Sequence, residues 1–320
     1  MSRIIVAGGA GFIGSHLCKR LMSEGHTVFC VDNLITGDKK NVESLLDNPQ
    51  FNYLEHDVTI DFTVIADRLG EIHEIYHLAS PASPNKKSER SYINFPIETL
   101  LANSVGTYNL LNLAKEKSAK FIFASTSEVY GDPAVSPQPE TYFGNVNPNG
   151  VRSVYDEGKR YGEAMTFAYL RKFDVDVRIV RIFNTYGPNM QKDDGRVVSS
   201  FINQALAGIP ITIFGDGTQT RSFCYIEDMV EGLMKAVATS GTKGQVINLG
   251  NTDERKILDI ASVVKTMTGS MSQIAFEELP QDDPKTRKPD ISKAKSLLAW
   301  EPKIVLEDGL KKTIEYFRSA

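Results

Sequence analysis

The chain has 320 residues, 41% of them hydrophobic and 24% charged, which suits about two globular domains. Whole-chain composition thus excludes a disordered chain, a coiled coil and a collagen-like fibre, and 36 Lys and Arg against 40 Asp and Glu leave a net charge of -4, without the basic surplus of a nucleic-acid binder. No apolar run nears the ~18 residues of a membrane-spanning helix, and the three cysteines (Cys18, Cys30, Cys224) have neither disulfide nor metal spacing.

Arg3–Ala7 is a short run rich in β-branched residues, which predicts a strand buried on both faces, as in a parallel sheet. It starts too early to leave room for a signal peptide, so a cytoplasmic protein is expected. Gly8-Gly9-Ala10-Gly11-Phe12-Ile13-Gly14 follows, then an amphipathic helical stretch. Glycines at 8, 11 and 14 allow a tight turn, close approach of a pyrophosphate and close helix packing, with Phe12 and Ile13 in the same turn. The helix N-terminus behind them offers free N–H groups to phosphates. The next strand ends on Asp32, 18 residues after Gly14. Asp32, with Asn33 beside it, is placed to accept hydrogen bonds from a ribose and to repel a 2′-phosphate, which favours NAD over NADP.

Residues 74–79, 120–124 and 177–182 predict further buried strands, with helical periodicity over 97–117 and 153–172 between them. Alternating β and α segments argue for an α/β fold with a Rossmann-type doubly wound parallel sheet. After Pro188 the pattern becomes turn-rich, yet residues 246–249 look like one more sheet strand. The expected division is a dinucleotide-binding domain of residues 1–184 and 219–248. Residues 185–218 and 249–320 then form a smaller, discontinuous C-terminal substrate-binding domain. A Pro- and charge-dense loop spans residues 280–290, and the charge cluster 86–90 after the fourth strand is a lid candidate.

Tyr155-Asp156-Glu157-Gly158-Lys159 opens a helix and puts Tyr155 and Lys159 on one face. An ammonium there favours the phenolate, as a general base needs, and can also reach a cofactor ribose. Thr126, Ser127 and Glu128 follow the 120–124 strand, at the sheet edge where open α/β folds bind ligands. Thr126 or Ser127 could hydrogen-bond a substrate hydroxyl, and Glu128 could move a proton at a neighbouring carbon.

Gly8-x-x-Gly11-x-x-Gly14, Tyr155-x-x-x-Lys159 and a length near 320 resemble the extended short-chain dehydrogenase/reductase family. Residues 76–84, 125–133, 155–160, 181–188, 194–198 and 285–290 resemble its UDP-glucuronate decarboxylase branch, with similarity from Arg3 to Arg318. The resemblance implies an NAD cofactor, a UDP-sugar substrate and a homodimer joined through helices 97–117 and 153–172 as a four-helix bundle. It places Asp57 and Val58 near the adenine and lines the cofactor with Leu78, Ala79 and Ser80. It sets Asn184 at the nucleotide diphosphate, and Val198 with the Ile211–Phe214 strand at the uracil. Arg221 and Arg287 reach the diphosphate, the latter close to the sugar C6. Two guanidiniums suit a diphosphate as planar, bidentate donors of permanent charge.

The reaction so implied oxidises a glucuronate at C4, loses carbon dioxide from the β-keto acid and reduces the ketone again, with NAD recycled. One alternative is a 4,6-dehydratase, with or without C5 epimerisation, in which Glu128 is the base at C5. Another is a non-catalytic NAD-binding sensor, against which the intact Tyr155–Lys159 pair argues. The chain departs from the decarboxylase pattern in a longer loop over residues 85–95, in Asn189 for an arginine, and in Asn149 and Val151 for Ile and Pro. All of these are expected near the sugar.

Overall fold

A computed structural model describes residues 1–279 and 286–319. Residues 280–285 of the predicted 280–290 loop, including Lys285 of the family-like stretch, lie outside the described residues.

Seven strands form one sheet: β1 (Arg3–Ala7), β2 (Thr27–Asp32), β3 (Phe51–Glu55), β4 (Glu74–His77), β5 (Lys120–Thr126), β6 (Val177–Ile182) and β7 (Val246–Leu249). Their order is β7-β6-β5-β4-β1-β2-β3, and every neighbouring pair runs parallel. This is the expected doubly wound topology, with its order reversing between β1 and β4. Strand β3, with polar and apolar residues mixed, had no distinct signal in the sequence.

Side-chain alternation along each strand divides the core into two layers. Ile4, Val6, Val28, Cys30, Ile122 and Val180 pack on one face with Leu17 and Leu21 of helix α1 (Phe12–Ser23). Ile5, Ala7, Phe29, Val31, Phe121 and Ile179 pack on the other, with Leu110 and Leu111 of helix α2 (Thr107–Lys117) and Tyr169 of helix α3 (Ser153–Phe173). Helix α2 continues a helical stretch that starts at Pro96–Leu101 and widens into a π-turn over Ala102–Gly106. There the buried Asn103 donates to Ser80 Oγ (2.8 Å) and to the Thr99 carbonyl (2.8 Å).

Beyond that sheet the strands are short and lie among the helices Val197–Ala207, Ile226–Ala238, Ile257–Thr268 and Leu306–Ser319. Ile211–Phe214 pairs in parallel with Ile274–Glu277. Thr220–Ser222 lies between Glu254–Lys256 and Thr286–Arg287, so that Arg221 and Arg287 are register partners. Among the described residues no helix is long and apolar enough to cross a membrane, and no group of three or more His, Cys, Asp or Glu is placed to hold a metal ion.

Candidate active site

The carboxyl ends of β1, β4, β5 and β6 open onto a cleft of about 1120 Å³, open solvent included. It is continuous with a second groove over β2, since both are lined by Gly8, Gly11, Thr36, Leu78 and Ser80. Such a continuous groove across the strand order's reversal point suits an extended dinucleotide.

The glycine turn is built as its spacing requires. Gly8 has φ +80°, and a Cβ there would stand 2.7 Å from the Ala79 nitrogen. A Cβ on Gly14 would collide with the Gly8 carbonyl oxygen, so α1 can start this close to β1 only with glycine. Phe12 and Ile13 line the cleft beside them. Asp32 is buried, and its carboxylate accepts from the Ala10 and Leu34 amides, each at 2.9 Å. Burial raises its pKa, and those two amides oppose the rise. Asn33 donates to Asp57 (2.8 Å), and both line the second groove with Val58, Leu78, Ala79 and Ser80. The residues expected to hold NAD therefore share one wall, with the cradle that its pyrophosphate needs.

The groups expected to carry the reaction meet at the end of β5. Lys159 is 3% exposed, donates to the Ala124 carbonyl (2.9 Å) and stands 5.8 Å from the Tyr155 ring centroid. Burial alone pulls its ammonium down to about 7. Burial pushes the Tyr155 phenol above its ordinary value and the Glu128 charge adds to the rise, while Arg196 and a hydrogen bond with Thr126 oppose it. The Thr126 hydroxyl also accepts from the Glu128 amide (3.2 Å), and Ser127 lines the cleft beside it.

Glu128 is held between two arginines, Arg152 at 2.7 Å and Arg287 at 3.5 Å, and Arg287 also donates to Asn184 (3.4 Å). Burial opposes ionisation of Glu128, yet the two guanidiniums outweigh it and hold the carboxyl well below its usual range. Asp156 shifts the other way: burial and the nearby Glu128 charge raise it.

Several residues in or beside the cleft escaped the sequence reading. Arg152 is separated from Glu128 by 24 residues, and Arg196 reaches the Ala82 carbonyl (2.8 Å) across 114 residues. Tyr92 is fully buried and stacks on Tyr155, with centroids 5.0 Å apart and planes 6° from parallel. Only Arg196 had a signal, as part of the family-like 194–198 stretch.

Other expected residues do not line the cleft with their side chains. Val198 and Ile211 are 2% and 0% exposed and pack in the core, so neither side chain forms a wall of the cleft. Strand alternation turns Ile211 and Ile213 inward, leaving Thr212 and Phe214 on the opposite side. Arg221 is also buried and adjoins the cleft through its register partner Arg287, which lines it. Asn189, expected near the sugar, adopts φ +66° and donates to Ser15 Oγ (3.1 Å) in α1. Asparagine tolerates this left-handed backbone better than most side chains do.

Residues 4–250 match the NAD dependent epimerase/dehydratase family. The chain belongs to that family. It is 51% identical over 316 residues to UDP-glucuronic acid decarboxylase 1 of Xenopus tropicalis, covering 99% of this chain and 72% of that protein. It is 50% identical over 317 residues to UDP-glucuronic acid decarboxylase 3 of Arabidopsis thaliana, covering 99% and 89%. Among solved structures it resembles the UDP-glucuronic acid 4-epimerase of Bacillus cereus, in complex with UDP-glucuronic acid and NAD. That likeness has a TM-score of 0.87 at 32% identity, over 99% of both chains. The UDP-glucose 4-epimerase of Thermotoga maritima gives a TM-score of 0.89 at 30% identity, again over 99% of both chains. The chain that carries the glycine turn and the Tyr155–Lys159 pair thus belongs to an NAD-dependent family.

Proposed function

We propose that this protein converts UDP-glucuronate to UDP-xylose and carbon dioxide. About half of all positions are shared, over nearly the whole chain, with UDP-glucuronic acid decarboxylases, and that observation carries the reading. When bound, NAD supplies a hydride acceptor, and later a donor, at the sugar C4. Lys159 fixes the cofactor ribose, and Tyr155, oriented by Thr126 and stacked against Tyr92, takes the C4 hydroxyl proton. The phenol is hard to ionise in the ligand-free protein, so its activation belongs to the loaded site, where charge and dehydration change together. Once C4 is a ketone, the C6 carboxylate is that of a β-keto acid, and its loss leaves an enolate that needs a proton at C5. Glu128, held ionised by Arg152 and Arg287 in the ligand-free protein, is placed to orient a water there.

Residues 1–184 and 219–248 form the cofactor half of the site, and residues 185–218 and 249–320 close over the nucleotide sugar. Arg221, Arg287 and Asn184 serve the diphosphate. Two copies pair through the outer faces of the 96–117 stretch and α3, which leave Ile97, Tyr108 and Tyr161 exposed by 60, 48 and 47%.

Mass spectrometry after incubation with NAD and UDP-glucuronate tests the reading. A pentose product that has lost carbon dioxide, without NADH accumulating in step with it, is expected. Tyr155→Phe should lower turnover at least 100-fold and spare NAD binding. Loss of water from UDP-N-acetylglucosamine, with UDP-glucuronate untouched, would replace the decarboxylase with a dehydratase.

A further inference from the structure

The 80–95 segment folds back on itself, with the Tyr92 amide donating to the Ser83 carbonyl (3.0 Å) and Asn94 reaching the carbonyls of Lys86 and Ser88. It is clasped to a distant loop: Ser83 Oγ donates to the Asp194 carbonyl (2.6 Å), Asn85 to the Asp193 carbonyl (3.0 Å), and Ser88 Oγ to the Asp193 carboxylate (2.9 Å). Gly195 completes the fit, because its φ is +78° and a Cβ would overlap Asn85. Lys86, Lys87 and Glu89 stay exposed, whereas Arg90 turns to the cleft beside Ala82, Ser83, Asp194 and Arg196. It lies two residues from Tyr92, whose ring stacks on Tyr155, and it lines the same cleft as Tyr155.

The other cations lining the cleft already have partners. Arg287 faces Glu128, Arg196 faces Asp194 and the Ala82 carbonyl, and Lys159 donates to Ala124. Among the described residues no acceptor pairs with the Arg90 guanidinium. A uronate would bring a carboxylate into a cleft that already contains the Glu128 anion, and its pentose product would not.

We propose that Arg90 binds the sugar's carboxylate and selects carboxylated over neutral UDP-sugars. A guanidinium suits this role because it offers planar, bidentate donors and a permanent charge. The inference rests on the decarboxylase reading above and adds its specificity element. The contact disappears as carbon dioxide leaves, so it stabilises bound substrate more than the transition state and shows in KM rather than kcat.

Steady-state kinetics of full-length Arg90→Gln and Arg90→Lys, with UDP-xylose and UDP as inhibitors, decide the matter. Expected for Arg90→Gln is a KM for UDP-glucuronate raised about tenfold, with kcat within about threefold of wild type and inhibition constants unchanged. Arg90→Lys should recover most of the loss. A parallel weakening of UDP and UDP-xylose would assign Arg90 to the diphosphate and overturn the proposal, and so would an unchanged KM. A wild-type protein that releases no carbon dioxide from UDP-glucuronate would overturn the decarboxylase reading itself, before any variant is compared.

Discussion

Asp156 and Glu128 show how one site gives two carboxyl groups opposite protonation. Two arginines hold Glu128 ionised, and its charge together with burial keeps the neighbouring Asp156 protonated beyond the ordinary carboxylate range. A folded-state pKa above the unfolded one means that the folded protein binds more protons than the unfolded chain. This contribution is fully present below the unfolded value, and it is lost as pH rises through the folded one. Asp156→Asn cannot ionise and keeps the shape. Its melting temperature in the ligand-free protein, relative to wild type, should rise steadily from pH 4 to pH 8. A variant clearly less stable at pH 8 would show that Asp156 works as a buried anion.

At the scale of elements, the β1 turn and the 80–95 segment follow different rules. The turn is governed by backbone approach, with no space for a methyl group between Gly14 and the Gly8 carbonyl. Gly14→Ala must push α1 away from the sheet. It should weaken NAD binding at least tenfold and cost about 1–3 kcal/mol of stability, as read by cofactor titration and denaturant unfolding. Unchanged NAD affinity in a folded variant would detach the helix start from the pyrophosphate. The 80–95 segment is instead held by side-chain bonds from Ser83, Asn85 and Ser88 to residues more than a hundred positions away. Polar residues there act as clasps, although the same composition reads as a solvated loop in the sequence.

At the scale of the molecule, the parallel sheet gathers the chemistry. Every strand leads its carboxyl end to the same edge, so groups from Gly8 to Arg287 line one cleft. The two helices covering the opposite layer leave an apolar stripe outside the monomer. If that stripe joins two copies, light scattering should give twice the 35.5 kDa of one chain. Tyr108→Glu, a charge in the middle of the stripe, should shift the protein to monomers at micromolar concentration. A monomeric wild type would end the four-helix proposal.

Local rules made much of this visible in the sequence. Strands β1, β2, β4, β5, β6 and β7 are short apolar runs between helical repeats, and the Tyr155–Lys159 pairing needs only one helical turn. The glycine spacing reports a turn whose geometry is set within seven residues. None of these depends on distant parts of the chain. Tertiary structure alone decided which charges meet: Arg152 and Arg287 on Glu128, Arg196 on Ala82, and Arg90 left facing the cleft without an acceptor among the described residues. It also decided which side of a two-sided strand faces the core, as Ile211 and Val198 show. Backbone conformation and helical spacing are set by neighbours in sequence. The partner of a charge and the burial of an apolar side chain are set by whatever the fold brings beside them.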